Sequence, residues 1–148
     1  MTPGKAIQVL MVEDDAGDVQ LTREALKDSK LIIDLHVVDD GEKALKFLRH
    51  QPPFAQTPRP DLILLDLNLP KVDGREVLQI VKTDASLRPI PIVVVTTSDA
   101  DADIERSYGL GANCYVTKPI GLDQFVKVVR SIEEFWMTVV KLPSMPPL

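Results

Sequence analysis

The sequence is short of the residues that build disulfides and zinc sites. Among 148 residues it has one cysteine, Cys114, and two histidines, His36 and His50. One cysteine excludes an internal disulfide and a thiolate-rich zinc site, and neither histidine has a second histidine or a cysteine at metal-ligand spacing. No apolar run approaches the ~18 residues that would cross a bilayer, and the first five residues lack the apolar core of a signal peptide. These absences predict a soluble cytoplasmic protein.

Positive charge is also scarce. Lys and Arg number 17 against 22 Asp and Glu, which gives a net charge of −5. Non-specific affinity for nucleic acid comes from neutralised phosphates, so we expect no DNA or RNA partner. The hydrophobic content of 45% and charged content of 26% are typical of globular proteins, and the length is that of one domain. We predict a single domain over residues 1–148, with a core of about 6–140 and an irregular Pro-containing tail over 141–148.

Five short runs rich in Val, Ile and Leu predict β-strands. Two of them, Leu62–Leu65 and residues 92–95, show no polar alternation, which is typical of strands buried on both faces of a parallel sheet. Apolar residues at helical spacing predict helices after each run. The predicted strands cover residues 7–12, 31–38, 62–65, 90–95 and 114–116, and the predicted helices cover 19–26, 41–48, 75–81, 101–108 and 122–140.

Strict alternation of strand and helix predicts the α/β class with a doubly wound parallel sheet. We expect Asp18 to cap the N-terminus of the predicted helix over 19–26 and Asp73 that of the helix over 75–81. Gly109 is expected to end the helix over 101–108. In sheets of this kind the functional crevice lies at the carboxyl ends of the strands. The residues that follow the predicted strands are therefore the candidates for chemistry.

Polar side chains follow four of the predicted strands. Glu13 and Asp14 come after the first, Asp66 after the third, Thr96 after the fourth and Lys118 after the fifth. Clustered carboxylates repel one another and attract a cation, and an oxygen-rich set suits Mg²⁺. A bound cation lets an anion approach, so that the hydroxyl and the ammonium can donate to phosphoryl oxygens. The aspartate at the end of the apolar third strand is the natural nucleophile for forming an aspartyl phosphate.

Each of these residues also has an ordinary structural explanation. An aspartate after a strand commonly caps a helix, a threonine is often a strand residue or a cap, and a lysine usually lies at the surface. Four such residues at four different strand ends favour a site over four coincidences.

With these residues in view, the sequence resembles a response regulator receiver domain over about residues 6–140. The fold that this resemblance implies is flavodoxin-like, (βα)5, with strand order 2-1-3-4-5. Within this family the sequence is most similar to the single-domain regulators that partner cyanobacterial and bacterial phytochromes. The features behind this narrower resemblance are the Pro-rich loop before Asp66, residues 106–115 and residues 131–136. The motifs behind the family resemblance are Val12-Glu13-Asp14-Asp15, residues 64–70 with Asp73-Gly74, Val95-Thr96-Thr97-Ser98 and residues 111–119.

The resemblance implies a role for each acidic residue. Asp66 is the phospho-acceptor. Asp14 and Asp66 ligate Mg²⁺ through their carboxylates, Asn68 through its backbone carbonyl and Glu13 mostly through water. Mn²⁺ is able to substitute for Mg²⁺. The family often has aspartate where Glu13 stands, which leaves room for a different binding mode.

The resemblance also implies a switch. Lys118 pairs with the phosphoryl group, and its bond to Pro119 is expected to be cis. Thr96 is the switch hydroxyl that is drawn toward the phosphate, and Tyr115 is the aromatic residue that repositions with it. Without the motif, Tyr115 would be read as a half-buried strand residue.

The partner that the resemblance implies is a sensor histidine kinase, of phytochrome type in the narrower comparison. Nearly all of the chain is used by the receiver, so we expect output through protein contacts. The module assists its own phosphorylation and dephosphorylation but turns over no metabolite, and we do not expect an enzyme.

The last predicted helix is apolar over more than one stripe, which is typical of burial on two sides. We predict a homodimer, as subgroup members tend to form, with Phe135, Trp136, Val139 and the Leu142-Pro143 tail at its surface. The alternative is that the tail folds back over its own core.

Three other functions fit the sequence less well. A haloacid-dehalogenase-type phosphatase needs a second aspartate two residues after its nucleophile, where Asn68 stands. A flavin or nucleotide binder cradles phosphate after the first strand, where Glu13-Asp14-Asp15 would repel it. A pseudo-receiver that never accepts phosphate would not be expected to keep the acceptor, the switch hydroxyl and the lysine together.

Overall fold

The structure, a computed structural model, describes residues 6–27, 32–97 and 101–117. In these ranges strands and helices alternate, which confirms the predicted α/β class. No helix there is long and apolar enough to cross a membrane. The predicted helix over 122–140 lies outside the described residues. The strands are β1 Ile7–Val12, β2 Ile33–Val38, β3 Leu62–Leu65, β4 Ile92–Thr96 and β5 Cys114–Thr117, and the helices are α1 Ala16–Lys27, α2 Gly41–Leu48, α3 Gly74–Thr83 and α4 Asp101–Gly109.

The five strands form one parallel sheet in the order β2-β1-β3-β4-β5. The predicted doubly wound sheet with order 2-1-3-4-5 is therefore confirmed. At the centre of the sheet Val12 lies opposite Leu65, so the residues that follow β1 and β3 emerge side by side. Leu65 in turn lies opposite Val94, two residues before Thr96. The topology thus brings three strand ends to one edge.

The two faces of the sheet bury separate apolar clusters, because side chains along a strand point alternately to opposite faces. On one face Val9 and Met11 of β1 belong to a cluster that Val19 of α1 covers. The opposite face of the same strand packs against α2 and α3. Among the residues of this second cluster that are at most 1% exposed are Leu10, Val12, Ala44, Ile63, Leu65, Leu67, Val77, Leu78, Val81, Ile92 and Val94.

The N-terminus of α1 differs from its predicted position. The helix begins at Ala16 rather than Val19, and Asp18 lies inside its first turn. The capping contact is made by Asp15, whose Oδ1 accepts a hydrogen bond of 3.0 Å from the backbone N–H of Asp18. The prediction that Asp18 is the N-cap is wrong, because an equally suitable acceptor lies three residues earlier. The expected N-cap of α3, Asp73, is confirmed by a hydrogen bond of 2.9 Å from the backbone N–H of Arg75.

The glycine that caps the C-terminus of α4 also differs from the predicted one. Gly109 is the last helical residue, and the left-handed residue is Gly111, with φ of 103°. The N–H of Ala112 donates to the carbonyl of Ser107 and the N–H of Gly111 to that of Tyr108, at 2.9 and 3.0 Å. This pair of bonds is a Schellman motif, in which the glycine follows the last helical residue by two positions. The prediction that the helix ends at Gly109 is confirmed, but its assignment as the C-cap residue is wrong, because Gly111 takes the left-handed position.

A Pro-rich loop over residues 49–61 connects α2 to the start of β3. It contains a cis peptide bond between Pro52 and Pro53. Phe54 holds the loop to the core through its ring, whose centroid lies 5.6 Å from that of Phe47. Because the loop precedes β3, it lies at the amino edge of the sheet, opposite the strand ends that converge.

Candidate functional site

Three acidic side chains meet at the carboxyl edge of the sheet. Glu13, Asp14 and Asp66 each offer a carboxylate oxygen, and the three oxygens lie within 4.8 Å of one another. Glu13 and Asp66 are only 3% and 6% exposed, whereas Asp14 is exposed. The adjacent strands β1 and β3 produce this arrangement, since Glu13 follows one and Asp66 follows the other.

Local backbone amides hold the two buried carboxylates. The backbone N–H of Asp15 donates to Glu13 Oε2 at 3.2 Å, and that of Asn68 donates to Asp66 Oδ1 at 3.1 Å. Two like charges about 5 Å apart repel by roughly 3 kcal/mol at an effective dielectric constant of about 20. A divalent cation offsets this repulsion, and hard carboxylate oxygens are the ligands that Mg²⁺ and Mn²⁺ prefer. The donor set therefore fits the divalent metal that the sequence predicts.

The backbone of the central aspartate is fixed from two sides. The N–H of Asp66 donates to the carbonyl of Val12 at 3.1 Å, and the N–H of Gly74 donates to that of Leu67 at 2.9 Å. Gly74 begins α3, and a Cβ at this position would lie 2.5 Å from Leu67 Cα and closer still to the carbonyl oxygen of Asp66. The start of α3 thus packs directly on the peptide between Asp66 and Leu67.

The predicted switch hydroxyl lies beside the loop that follows β3. Thr96 is fully buried at the end of β4. The Asn68 side-chain amide lies 3.4 Å from the hydroxyl oxygens of both Thr96 and Thr97 and donates to them. The sequence analysis assigned Asn68 only a backbone role and missed these side-chain contacts, for which the sequence carries no signal.

Tyr115 lies on the same face of the sheet as Thr96. It pairs in register with Val94, two residues before Thr96 on the neighbouring strand, and strand residues two apart share a face. Tyr115 is half-buried and packs against the cluster under α2 and α3. The structure therefore puts the aromatic residue and the hydroxyl in neighbouring positions.

Several predicted residues lie outside the described part of the chain. The strand β5 ends at Thr117, immediately before Lys118 in the sequence. Lys118 and Pro119 fall beyond this point, as do the predicted dimer residues Phe135, Trp136 and Val139. The phosphoryl-pairing lysine, the cis peptide and the homodimer stay predictions.

An ion-pair network that the sequence analysis missed lies next to the site. Arg75 Nε and Nη2 donate to the two carboxylate oxygens of Asp103 at 3.0 and 2.8 Å, and Arg75 Nη1 donates to Asp73 at 3.2 Å. Hydrogen bonding to Asp103 raises the pKa of Arg75 above its usual value. The bidentate pair joins the first turn of α3 to the first turn of α4. Because its members lie 28 residues apart, no spacing in the sequence predicts the contact.

Relatives of this chain include a response regulator and a second regulatory protein. The curated protein "Response regulator Rcp1" of Synechocystis sp. is 47% identical over 136 residues, which are 92% of each chain. The "Probable methanogenesis regulatory protein FilR2" of Methanothrix harundinacea is 38% identical over 130 residues, 87% of this chain and 83% of the relative.

Two similar solved structures, each 46% identical to this chain, have the same fold. The phosphorylated cyanobacterial phytochrome response regulator RcpA is 46% identical with a TM-score of 0.85, covering 95% of this chain and 100% of that one. The Mn²⁺-bound form of response regulator Rcp1 is 46% identical with a TM-score of 0.83, covering 93% and 99%.

The family model named "Response regulator receiver domain" matches residues 9–130, a range that contains all three clustered carboxylates. Since this range is most of the chain, and since a response regulator is 47% identical over 92% of it, the chain belongs to the response regulator receiver domain family.

Proposed function

We propose that this protein is a phosphorylation-controlled response regulator that accepts a phosphoryl group on Asp66 from a phosphohistidine of a sensor histidine kinase. The observation that carries the proposal is the meeting of Glu13, Asp14 and Asp66 within 4.8 Å at the carboxyl edge of the sheet. Among these carboxylates, the one on Asp66 follows β3 at the centre of the sheet. It lies between the end of β1, which supplies two acids, and that of β4, which supplies a hydroxyl.

The proposed reaction is a phosphoryl transfer between two side chains. A carboxylate oxygen of Asp66 forms a bond to phosphorus while the phosphorus–nitrogen bond to the donor imidazole breaks, and the leaving imidazole takes up a proton. The product is an acyl phosphate on Asp66 and a neutral histidine. Because such transfers depend mostly on positioning and charge neutralisation, few protein groups are required.

The acidic cluster would hold the metal ion in this proposal. Asp14 and Asp66 supply carboxylate oxygens, Glu13 acts mostly through water, and the Asn68 carbonyl is the further ligand that the family resemblance implies. When bound, Mg²⁺ neutralises charge on the phosphoryl oxygens. The backbone N–H of Asn68 holds Asp66 Oδ1, which leaves the carboxylate fixed in orientation.

Signalling follows from the groups around the acceptor. A phosphoryl group adds negative charge and strong acceptor oxygens. The buried Thr96 hydroxyl gains a hydrogen bond to it that exists only after phosphorylation, and this shifts the population toward an arrangement with a displaced segment after β4. Tyr115, on the same face, occupies the space that the threonine leaves. Lys118 completes the contacts to the phosphoryl group.

The proposed donor is a kinase of the phytochrome type. The relative RcpA is named a phytochrome response regulator, which supports this choice for a chain 46% identical to it. The proposal includes the cytoplasmic location and the output through protein contacts, with a homodimer as one such contact. No metabolite is turned over, so the protein acts as a signalling module rather than as an enzyme.

Intact-mass analysis tests the acceptor. After incubation with acetyl phosphate and Mg²⁺, the parent protein is expected to gain about 80 Da, the mass of one phosphoryl group in place of a proton. Asp66→Asn is expected to gain nothing, because an amide cannot form the acyl phosphate. Asp18→Asn is the matched control, since this acid lies in α1 near the site but outside the cluster, and it is expected to behave like the parent. An adduct on Asp66→Asn, or none on the parent protein, would contradict the proposal.

A further inference from the structure

The bidentate ion pair between Arg75 and Asp103 joins two segments that lie on either side of the site. Arg75 is the second residue of α3, which begins directly after the loop that carries Asp66. Asp103 lies in the first turn of α4, six residues after Thr97. Any movement of α4 away from α3 must therefore stretch or break this pair.

The pair is stronger than an ordinary surface ion pair. Each side chain is only 22% exposed, and the two parallel hydrogen bonds of 2.8 and 3.0 Å fix the guanidinium against the carboxylate. Charge-assisted bidentate pairs of this kind are about twice as strong as neutral hydrogen bonds and lose less to water than exposed pairs do. The pair between Lys46 and Glu42 on α2 is a contrast, since its side chains are 40% and 48% exposed.

The pair is also anchored at the acceptor loop. Arg75 Nη1 donates to both carboxylate oxygens of Asp73, at 3.2 and 3.3 Å, while the backbone N–H of Arg75 donates to the same group. Asp73 is the N-cap of α3 and immediately precedes Gly74, which packs on the peptide of Asp66. The guanidinium therefore connects α4 to the N-terminus of α3, which packs on the peptide of Asp66.

We propose that Arg75 and Asp103 are positioning residues that hold α4 in the arrangement described here and so oppose the switch. The inference rests on the proposed function, in which a phosphoryl group on Asp66 draws Thr96 and the segment that leads into α4. A contact present in one arrangement only biases the equilibrium by its own free energy. Loss of the pair therefore favours the displaced arrangement and, by linkage, binding of a phosphoryl group at Asp66.

Hydrogen exchange without metal or phosphoryl donor tests the restraint itself. In Arg75→Gln, the α4 amides over residues 104–109 are expected to exchange about three- to fivefold faster than in the parent protein. Asp103→Asn removes the partner charge and is expected to give the same result, and the double variant no more than either single change. Lys46→Gln, which breaks the exposed pair on α2, is the matched control and is expected to leave the exchange rates of these amides unchanged. Unchanged exchange in Arg75→Gln would overturn the inference.

Binding of beryllofluoride with Mg²⁺, a stand-in for the phosphoryl group on a carboxylate, tests the coupling. By titration calorimetry, Arg75→Gln and the charge-conserving Arg75→Lys are expected to bind it about three- to fivefold more tightly than the parent protein. A merely structural role predicts equal or weaker binding, because a less stable fold gains no affinity. Equal or weaker binding by both variants would overturn the inference and leave the proposed function standing. If the parent protein bound no beryllofluoride and gained no mass adduct, the proposed function would fall and the inference with it.

Discussion

Replacing Gly74 with alanine tests how tightly α3 packs on the peptide between Asp66 and Leu67. A Cβ at this position would lie 2.5 Å from Leu67 Cα and 2.9 Å from the carbonyl carbon of Asp66, with the carbonyl oxygen nearer than either. Gly74 has no positive φ, so the expected effect is steric rather than a matter of backbone strain. All three neighbours are backbone atoms, which cannot turn aside as a flexible side chain would.

The magnitude follows from these contacts. Overpacking costs about 1–3 kcal/mol in general, and we take about 3 kcal/mol here because backbone atoms must move apart. Globular proteins unfold with an entropy of about 2 cal/mol/K per residue, or roughly 0.3 kcal/mol/K for 148 residues, so each kcal/mol lowers the melting temperature by about 3 °C. Gly74→Ala is therefore expected to melt about 10 °C below the parent protein.

Thermal unfolding followed by circular dichroism gives the measurement, and Gly109→Ala provides the matched control. Gly109 is the last helical residue of α4, and a Cβ there meets nothing within 4 Å. Alanine is expected to stabilise that position by about 0.5–1 kcal/mol, because it lowers the entropy of the unfolded chain. If Gly74→Ala melted within about 2 °C of the parent protein, the packing argument would be refuted.

Two further predictions concern carboxylates that hold local structure. Asp40 is 4% exposed and caps α2 by accepting a 2.7 Å hydrogen bond from the backbone N–H of Lys43. The free energy of unfolding of Asp40→Ala, measured in urea, is therefore expected to be about 1–2 kcal/mol lower than that of the parent protein. Asp40→Asn keeps a capping side chain and is expected to lose less. Hydrogen bonds from Ser86 hold the pKa of Asp84 below its unfolded value of 3.8, so this stabilisation is present above pH 3.8 and is lost as the pH falls through the lower folded value. Asp84→Asn is expected to show a shallower loss of stability between pH 5 and pH 2 in the same assay, and a slope equal to that of the parent protein would contradict this assignment.

The strands could be predicted closely because burial on both faces leaves a direct signature. In Leu62–Leu65 every residue is apolar and every residue is buried, so composition alone marks the segment as a central strand. The meeting of Glu13 and Asp66 could be anticipated from the same rule, since parallel strands end at one edge. The helix ends were harder. Asp15 and Asp18 are both good caps by type, and only the hydrogen bond in the folded chain distinguishes them.

Contacts between distant segments could not be predicted where they do not follow from the meeting of parallel strand ends. Arg75 and Asp103 look like ordinary surface charges on two amphipathic helices, and nothing in their spacing connects them. The Asn68 amide reaches Thr96 because β3 and β4 are neighbours in the sheet, and register rather than sequence decides which side chains then touch.

The Pro-rich loop is a position where the protein can be labelled or immobilised without disturbing the acidic cluster. Ala55 and Gln56 are exposed at the amino edge of the sheet, and the four residues of β3 put roughly 13 Å between this edge and Asp66. A dye or a surface tether attached through Gln56→Cys would therefore report on the protein, or immobilise it, from the end of the sheet opposite the acidic cluster.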